Sequence, residues 1–314
     1  MIASARRGAR RPQLHLGSEI GAALRKGAAC VALESAVLSH GLPQDDARRL
    51  ASSLDRIVRK AGATPALVAV KDGRIVVGAD PHDLGFLFER DTLKLAERDL
   101  GVAVAARRSG GTTVAATLAL ADRVGIAVLA TGGIGGVHLD RPHDVSADLH
   151  ALARHPVVVV CAGAKIICDM ERTVEALDTL GVPIIGYRTD FFPAFLVRSS
   201  GIALAHRVET AAEIVAIQRE RIALGARSAL LVVQSAPAAL ALDTRAVEGV
   251  IAASVRRAHK QKVRGPALTP YLLGAIADAT QGRSLRANIG LLEANAALAA
   301  SVAVAVALSR RRAR

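Results

Sequence analysis

Aromatic residues are almost absent from this sequence: its 314 residues include five phenylalanines, two tyrosines and no tryptophan. Proteins that bind single-stranded nucleic acids stack bases on aromatic side chains, so this scarcity counts against that class of function. Hydrophobic residues nevertheless make up 51% of the chain. The core must therefore be built from alanine, valine, leucine and isoleucine, in one large domain or two small ones.

Cysteine is scarce as well. Cys30, Cys161 and Cys168 are an odd number and include no Cys-x-x-Cys pair, so neither a zinc site nor a disulfide framework is indicated. A reducing compartment fits this usage, and we expect a cytoplasmic protein. The Arg-rich first twelve residues also lack the apolar stretch of a secretory signal.

Acidic residues are outnumbered, with 28 against 41 lysines and arginines, and the formal net charge is +13. Such an excess is typical of nucleic-acid-binding proteins, because lysine and arginine contact phosphates. However, four arginines near each end of the chain carry eight of these charges. We therefore predict basic tails over residues 1–14 and 310–314, the first disordered, around a single domain over residues 15–309. No nucleic-acid partner is expected, and a basic nucleic-acid-binding protein is the alternative from another functional class.

One segment is apolar enough to suggest a membrane span. Residues 290–308 are almost wholly apolar and precede an arginine run, but they contain Glu293 and Asn295 and no aromatic belt. We predict a buried or subunit-packing helix here and no membrane partner, with a transmembrane helix as the alternative.

Short apolar runs alternate with amphipathic segments along the chain. The runs are rich in valine, isoleucine and leucine and cover residues 30–33, 66–70, 102–106, 126–130, 157–161, 182–185 and 229–233. Such runs are typical of strands that are covered on both faces. Helices are predicted over residues 45–61, 211–224 and 247–259, and Gly62 can end the first of them.

The pair Asp72-Gly73 separates two valine-rich runs, which predicts a β-hairpin with a type I′ turn. The alternation of strands with helices indicates a mostly parallel sheet covered by helices on both faces. The predicted fold class is α/β: a three-layer α/β/α arrangement with a mostly parallel central sheet and a helical C-terminal third.

Two ionisable residues follow predicted strands, where open α/β sheets bind ligands. Glu34 comes directly after the first strand, and a carboxyl withdrawn from water there has a raised pKa and can donate a proton. An ion pair or a turn cap is its plainer interpretation. Lys165 follows residues 157–161, where burial would lower its pKa until the free amine is nucleophilic. A lysine that extends to solvent at the rim of the sheet is the alternative.

Glycines follow two further strands. Residues 110–113 (Gly-Gly-Thr-Thr) are predicted to open a helix whose free amides, with the Thr113 hydroxyl, favour an anion; an ordinary N-cap is the alternative. Thr131 begins a loop with four glycines that ends at His138 and lacks the dinucleotide-binding spacing. This loop predicts backbone that wraps a small, oxygen-rich ligand.

Asp144 and Asp148 are spaced so that both can project from one helical turn. Such a pair suits a hard divalent cation that prefers oxygen ligands. The same spacing also serves as simple negative charge at a helix N-terminus, which is the alternative.

Taken together, these segments resemble the pseudouridine-5′-phosphate glycosidase family, also called the indigoidine-synthase-A-like family, from about Ala32 to Ala303. The most specific stretches are residues 32–43, 130–138, 144–149, 158–165, 193–201 and 284–289. The resemblance implies an α/β/α fold, a homotrimer and a reaction that depends on Mn²⁺, one ion per subunit. The implied reaction is the reversible cleavage of pseudouridine 5′-phosphate into uracil and ribose 5-phosphate.

The resemblance also implies a role for individual residues. Glu34 matches the family's proton donor, Lys165 matches the nucleophile that forms a Schiff base with ribose, and Asp144 matches the metal ligand. The positions that it implies around the substrate are Lys94, Thr113, Val114, Thr131, His138, Ser146, Ala147, Asp148 and Asn288.

The chain departs from the family pattern in three places. The loop between His138 and Asp144 is about two residues shorter, residues 234–237 (Gln-Ser-Ala-Pro) replace an Asn-Pro segment, and Ala96 replaces a hydroxyl residue. These changes bear on substrate affinity more than on reaction type. The nearest enzymatic alternative is an N-glycosidase or lyase that acts on another ribose-5-phosphate conjugate.

Overall fold

The computed structural model describes residues 14–80, 82–139, 141–263 and 268–312. The strands in these ranges are β1 (Leu14–Leu16), β2 (Cys30–Leu33), β3 (Thr64–Lys71), β4 (Arg74–Val77), β5 (Leu93–Leu95), β6 (Gly110–Thr112), β7 (Val128–Ala130), β8 (Val137–His138), β9 (Arg141–Val145), β10 (Val158–Cys161), β11 (Cys168–Asp169), β12 (Ile184–Tyr187), β13 (Arg207–Val208) and β14 (Leu230–Val233). The α-helices are α1 (Ser18–Arg25), α2 (Ala36–His40), α3 (Gln44–Lys60), α4 (Leu100–Ala105), α5 (Val114–Val124), α6 (Ala147–Leu152), α7 (Met170–Thr179), α8 (Ala211–Ala223), α9 (Thr244–Lys260), α10 (Leu268–Ala279) and α11 (Arg283–Arg312).

The described strands form one large sheet and one small sheet. The main path of the large sheet runs β1-β4-β3-β2-β7-β10-β14-β12-β13, with β6 beside β3 and β5 beside β6. All neighbours from β3 through β2 to β13 are parallel, whereas β4 and β6 run antiparallel to β3. Strands β11, β8 and β9 form the small antiparallel sheet. The carboxyl ends of β2, β7, β10 and β14 therefore meet at one edge.

The core lies on both faces of these central strands. Every residue of β2, β7, β10 and β14 is buried, as their continuous apolar sequences predict. Helix α11 packs on β2, β7 and β10, and α5 packs on β2, β3 and β7. The predicted α/β fold class, with its mostly parallel sheet and helical C-terminal third, is confirmed.

Several local predictions are also confirmed. Helices α3, α8 and α9 cover the predicted segments to within a few residues. The β3–β4 hairpin pairs Lys71 with Arg74, and its turn residues have φ angles of 51° at Asp72 and 73° at Gly73. Positive φ angles at both central residues define the predicted type I′ turn.

Residues 110–112 form the short strand β6, and the helix predicted to open at this segment, α5, begins at Val114 with Thr113 as its N-cap. One strand prediction is wrong: residues 102–106 lie mostly in α4, where Val102 is 69% exposed. A short apolar run does not by itself separate a strand from a helix. Strand β6 pairs with β3 through Gly110 and Gly111. It also packs close to α2, since a Cβ atom on Gly111 would lie 2.4 Å from the Ser39 hydroxyl.

The predicted tail boundaries stay predictions. Leu14 is the first residue of β1, and residues 310–312 are the last residues of α11. The rest of both predicted tails, residues 1–13 and 313–314, lies outside the described residues. The single domain over residues 15–309 stays a prediction.

Helix α11 is long and apolar enough to cross a membrane by length and composition, and half of its most apolar window is buried within the protein. The core helix of a globular protein passes the same test. Its packing on three central strands agrees with the predicted buried helix.

We expect Gly73→Ala to lower the free energy of unfolding more than Gly125→Ala. Both glycines have positive φ angles, 73° and 82°, so each substitution introduces strain of about 1–2 kcal/mol. A Cβ atom on Gly73 would also lie 2.8 Å from the Arg107 Cα atom, whereas Gly125 has open space. The clash adds about 1–3 kcal/mol. Urea unfolding measures the difference, and equal losses for the two variants would contradict it.

Candidate functional site

The predicted acid and the predicted nucleophile lie at the same edge of the sheet. Glu34 follows β2, Thr131 follows β7 and Lys165 lies in the loop after β10. These three strands are adjacent and parallel, and β7 is in the middle. The carboxyl edge therefore brings together residues that are far apart in the sequence.

Glu34 is buried, with 6% of its surface exposed, and accepts a 2.5 Å hydrogen bond from the Thr131 hydroxyl. Burial raises the pKa of this carboxyl, against the opposing effects of the Lys165 charge and the Thr131 hydrogen bond. A raised pKa was expected from the position of Glu34 at a strand end. The carboxyl is therefore suited to carry a proton.

Lys165 does not have the lowered pKa that burial alone predicts. Desolvation lowers the pKa of its ammonium group, but the nearby carboxylates of Glu34 and Asp148 raise it by more, and the net shift is upward. The prediction was wrong because the sequence does not reveal which charges surround a buried group. Lys165 must pass a proton on before its amine can act as a nucleophile.

Lys94 joins the same charged cluster. Its strand, β5, pairs with β6 beside the end of β3. Burial lowers the pKa of Lys94, as does the positive charge of Lys165, while Glu34 and Asp148 oppose the shift. Two lysines and two carboxyl groups thus influence one another in a space that is withdrawn from water.

Asp148 anchors the backbone on two sides. It is buried, its Oδ1 atom accepts a 2.9 Å hydrogen bond from the Ala115 amide, and its Oδ2 atom accepts a 2.8 Å hydrogen bond from the Gly135 amide. Ser146 caps the N-terminus of α6 by accepting from the Asp148 amide, and Ala147 is the first residue of this helix. Asp148 therefore ties the start of α5 to the glycine-rich loop.

The prediction that Asp144 and Asp148 project from one helical turn is wrong. Asp144 lies on β9, whereas Asp148 lies in α6. Ser146, the extended N-cap residue of α6, separates the two elements, so the spacing of four residues carries no helical periodicity. The two carboxylates therefore lie in different elements and have different neighbours.

Asp144 lies beside His138, which ends β8. The Asp144 Oδ2 atom is 3.0 Å from His138 Nδ1, yet the approach lacks hydrogen-bond direction, and this buried nitrogen has no hydrogen-bond partner in the described chain. The described ranges contain no group of three or more histidine, cysteine or acidic side chains that could hold a metal. A single half-exposed carboxylate with a nearby imidazole suits a hard cation that keeps most of its waters.

The glycine-rich loop packs against protein atoms at all four of its glycines, most closely at Gly135 and Gly136. A Cβ atom would lie 2.3 Å from the Ser146 hydroxyl at Gly135 and 2.2 Å from the Thr173 hydroxyl at Gly136. These glycines therefore serve close packing inside the protein, which differs from the predicted wrapping of a ligand. The loop is held against α6 and α7 as a rigid wall of the site.

Fewer donors at residues 110–114 are free to bind an anion than the sequence predicts. The Thr112 amide donates to the Ser35 hydroxyl, and the Thr113 amide donates to the Leu95 carbonyl. What remains is the Thr113 hydroxyl, which is buried and lacks a hydrogen-bond partner among the described residues, and the Val114 amide at the first turn of α5. Both lie where an anion would be stabilised by the helix start.

Asn288 reaches this edge through α11. The same helix contacts Gly132: a Cβ atom there would lie 3.1 Å from Leu291 and 3.3 Å from Leu292. Asn288 is buried and lies one turn before these leucines on the same helical face. Its position on α11 places it beyond the end of β7, and its contact with the substrate stays a prediction.

Asn295 and Gln234 belong to this edge but were not predicted as site residues. Asn295 is 1% exposed and donates to the carbonyl oxygens of Thr131 and Gly132 at 2.7 and 3.3 Å. Gln234 follows β14 and donates to the Asn295 Oδ1 atom at 2.8 Å. Two features of the sequence could have identified them. Asn295 is a polar residue inside an apolar helix, and Gln234 directly follows a strand.

An open groove in the described chain lies away from these residues. It has a volume of about 1670 Å³ and is lined by α1, the β3–β4 hairpin and α4, with residues such as Glu19, Lys71 and Arg107. None of the site residues described above lines it. Charge, burial and hydrogen bonding, not cavity size, mark the carboxyl edge as the candidate site.

Comparisons with known proteins show the family of this chain. The model of the family described as indigoidine synthase A like protein matches residues 19–305. A relative from Methylobacterium nodulans, named pseudouridine-5′-phosphate glycosidase, is 47% identical over 94% of this chain and 88% of its own length. A relative of the same name from Gemmatimonas aurantiaca is 48% identical over 90% of this chain and 93% of its own length.

Two solved structures are similar across the whole fold. A prealnumycin C-glycosynthase, solved in complex with ribulose 5-phosphate, has a TM-score of 0.88 at 32% identity and covers 96% of this chain and 100% of its own. An indigoidine synthase A-like protein from Thermotoga maritima has a TM-score of 0.84 at 33% identity and covers 94% of this chain and 96% of its own.

We expect Asp148→Asn to destabilise the fold. An amide can satisfy one of the two backbone donors at Asp148 but presents its own N–H group to the other. An unsatisfied buried donor costs about 1–3 kcal/mol, which urea unfolding would measure. Asp83→Asn is the control, because Asp83 is exposed and pairs only with Lys71 in the described structure. Its expected cost is below about 1 kcal/mol, and a loss as small for Asp148→Asn would contradict the anchoring role.

Proposed function

Because the chain belongs to the indigoidine synthase A-like family, we propose that it reversibly cleaves the carbon–carbon glycosidic bond of pseudouridine 5′-phosphate. The products are uracil and ribose 5-phosphate. The names of the relatives from M. nodulans and G. aurantiaca support this substrate. The observation that carries the proposal is the electrostatically coupled pair of Glu34 and Lys165 at one edge of the sheet.

The bond itself explains why a lysine is needed. Ordinary glycosidases protonate a leaving oxygen or nitrogen beside an oxocarbenium-like centre. In pseudouridine the ribose C1′ atom is joined to C5 of uracil, and no such heteroatom is available. A covalent link to an amine solves this problem, because the nitrogen lone pair can stabilise C1′ when uracil leaves.

The proposed sequence of steps begins with attack of the neutral Lys165 amine on C1′, which breaks the C1′–O4′ bond as O4′ takes a proton from Glu34. The secondary ammonium formed at the lysine nitrogen then returns a proton to Glu34, which restores the nitrogen lone pair. Protonation of uracil C5 follows. The C1′–C5 bond then breaks with its electrons going to uracil, and the lysine nitrogen forms an iminium with C1′. Water adds to C1′ and releases ribose 5-phosphate and the free amine.

Glu34 is the proton carrier in this scheme. Since the pKa of Lys165 is raised, its ammonium group must lose a proton before attack, and Glu34 is the coupled group that can accept it. The same carboxyl, with its own raised pKa, then donates to O4′ or to C5. A single carboxyl thus serves each step in turn.

Other residues at this edge are proposed to hold the substrate. Lys94, the Thr113 hydroxyl and the Val114 amide would bind the 5′-phosphate, since each offers a donor or a positive charge. Further contacts to the ribose and the base are proposed for the polar positions or backbone at Thr131, His138, Ser146, Ala147, Asp148 and Asn288. The buried orphan hydroxyl of Thr113 supports the phosphate position.

Asp144 is the proposed ligand of one Mn²⁺ ion, with His138 beside it. When bound, such an ion orients substrate oxygens and polarises them. The proximity of the Asp144 carboxylate to the unpaired His138 Nδ1 atom supports this assignment.

We further propose that the enzyme is a cytoplasmic homotrimer. Its three cysteines are free and buried, which fits a reducing compartment. Leu308, near the end of α11, is 52% exposed and offers an apolar contact for a neighbouring subunit.

We expect the wild-type protein to cleave pseudouridine 5′-phosphate in the presence of Mn²⁺ and to leave uridine 5′-phosphate intact. Liquid chromatography of released uracil measures both reactions. Equal cleavage of the two substrates would favour an N-glycosidase or lyase of broader range. Borohydride with ribose 5-phosphate should trap an adduct that peptide mapping places on Lys165.

Lys165→Ala is expected to abolish both cleavage and trapping. Its control is Lys71→Ala, which removes an exposed lysine that pairs with Asp83 and lines the separate groove. The control should retain wild-type activity and the adduct. Absence of any adduct in the active wild-type enzyme would overturn the covalent route.

We expect chelation to remove activity and added Mn²⁺ to restore it. Asp144→Asn removes the one protein carboxylate that is proposed to bind the ion. The Mn²⁺ concentration for half-maximal activity should therefore rise by about tenfold or more. Electron paramagnetic resonance of free Mn²⁺ measures binding without reference to turnover. Unchanged Mn²⁺ binding by Asp144→Asn would exclude Asp144 as the ligand.

A further inference from the structure

Asn295 is a buried amide that connects α11 to the carboxyl end of β7. Its Nδ2 atom donates to the Thr131 carbonyl at 2.7 Å and to the Gly132 carbonyl at 3.3 Å. Its Oδ1 atom accepts from Gln234 Nε2 at 2.8 Å. Both hydrogens and the oxygen of this amide are therefore used. The orientation of the Asn295 side-chain amide is determined, because the two carbonyl oxygens can only accept hydrogen bonds and must face its nitrogen.

Thr131 is held on three sides. Its amide donates to the Val160 carbonyl of β10 at 3.0 Å, and its carbonyl accepts from Asn295 of α11. Its hydroxyl donates to Glu34 Oε1 at 2.5 Å. Neither of the first two contacts involves the reacting groups. Together they place the hydroxyl opposite the carboxyl that follows β2.

We propose that Asn295 is a positioning residue for the proton transfers of this enzyme: it holds Thr131 so that the threonine hydroxyl stays hydrogen-bonded to Glu34. Asn295 itself touches neither the Glu34 carboxyl nor Lys165 through any hydrogen bond among the described residues. The catalytic meaning of this contact rests on the proposed function, whereas the contact itself does not.

The physical consequence concerns the Glu34 carboxyl. The Thr131 hydrogen bond stabilises the ionised form and lowers the pKa that burial raises. Without Asn295 the Thr131 carbonyl loses its partner, the end of β7 can turn, and the hydroxyl is free to leave Glu34. The carboxyl would then hold its proton to higher pH. The other charged groups that influence it, Lys165, Asp148 and Lys94, are unchanged by this substitution.

The test compares Asn295→Ala, Thr131→Val and the double variant with the wild-type protein. Carbon-13 NMR of labelled glutamate carboxyls gives the titration midpoint of Glu34, whose signal is identified by its loss in Glu34→Gln. Both single variants should shift the midpoint upward by a similar amount, and the double variant should show no further shift. The acid limb of the pH profile of kcat should move in the same direction, and kcat should fall about 10- to 100-fold.

Two further variants keep the outcome interpretable. Ser301→Ala changes an exposed serine on α11 that bonds only within its helix, and its midpoint should equal that of the wild-type protein. Gln234→Ala removes the partner that fixes the Asn295 oxygen and should give a smaller upward shift. If Asn295→Ala does not fold, Gln234→Ala carries the same comparison with Thr131→Val.

A folded Asn295→Ala protein with an unchanged Glu34 midpoint would overturn the proposal, and so would a shift that adds fully to that of Thr131→Val. If Asn295→Ala does not fold, an unchanged midpoint in Gln234→Ala would likewise overturn it. A wild-type protein that does not cleave pseudouridine 5′-phosphate would instead contradict the proposed function. In that case the NMR midpoints still decide whether Asn295 positions Thr131 against Glu34.

Discussion

The site depends on placing opposite charges together where water is excluded. A lone carboxylate or ammonium group withdrawn from water is costly, and removing one partner leaves the other uncompensated. Glu34 and Lys165 therefore constrain each other, with Lys94 and Asp148 close enough to shift their pKa values. Three adjacent parallel strands make this arrangement possible, because their carboxyl ends open onto one edge. The remaining elements keep that edge rigid.

Rigidity comes from backbone contacts more than from ion pairs. Asp148 joins the start of α5 to the glycine-rich loop, and Asn295 joins α11 to the end of β7. Close packing at Gly135 and Gly136 leaves that loop little freedom to move. A buried charged cluster needs such a frame, since small displacements change both hydrogen-bond geometry and proton affinity. Preorganised groups of this kind are what acid–base and covalent catalysis require.

The order of proton transfers follows from the same electrostatics. Nearby carboxylates raise the pKa of Lys165, so in the proposed reaction the nucleophile forms only when a coupled group accepts its proton. Glu34 is the proposed acceptor, and the hydrogen bond from the Thr131 hydroxyl opposes the upward pKa shift that burial gives this carboxyl. The proposed substrate contacts would act on a cluster whose charged groups are already placed by the fold.

The sequence by itself determined the fold class, the principal helices, the hairpin at Asp72-Gly73 and the position of Glu34 at a strand end, because these follow from local periodicity and turn chemistry. Residues 102–106 were misassigned, since a short apolar run fits either a strand or a helix. Only the tertiary structure decided the upward pKa shift of Lys165, the separation of Asp144 from Asp148, and the roles of Gln234 and Asn295. Each of these depends on which side chains meet across distant segments, and spacing along the chain does not contain that information.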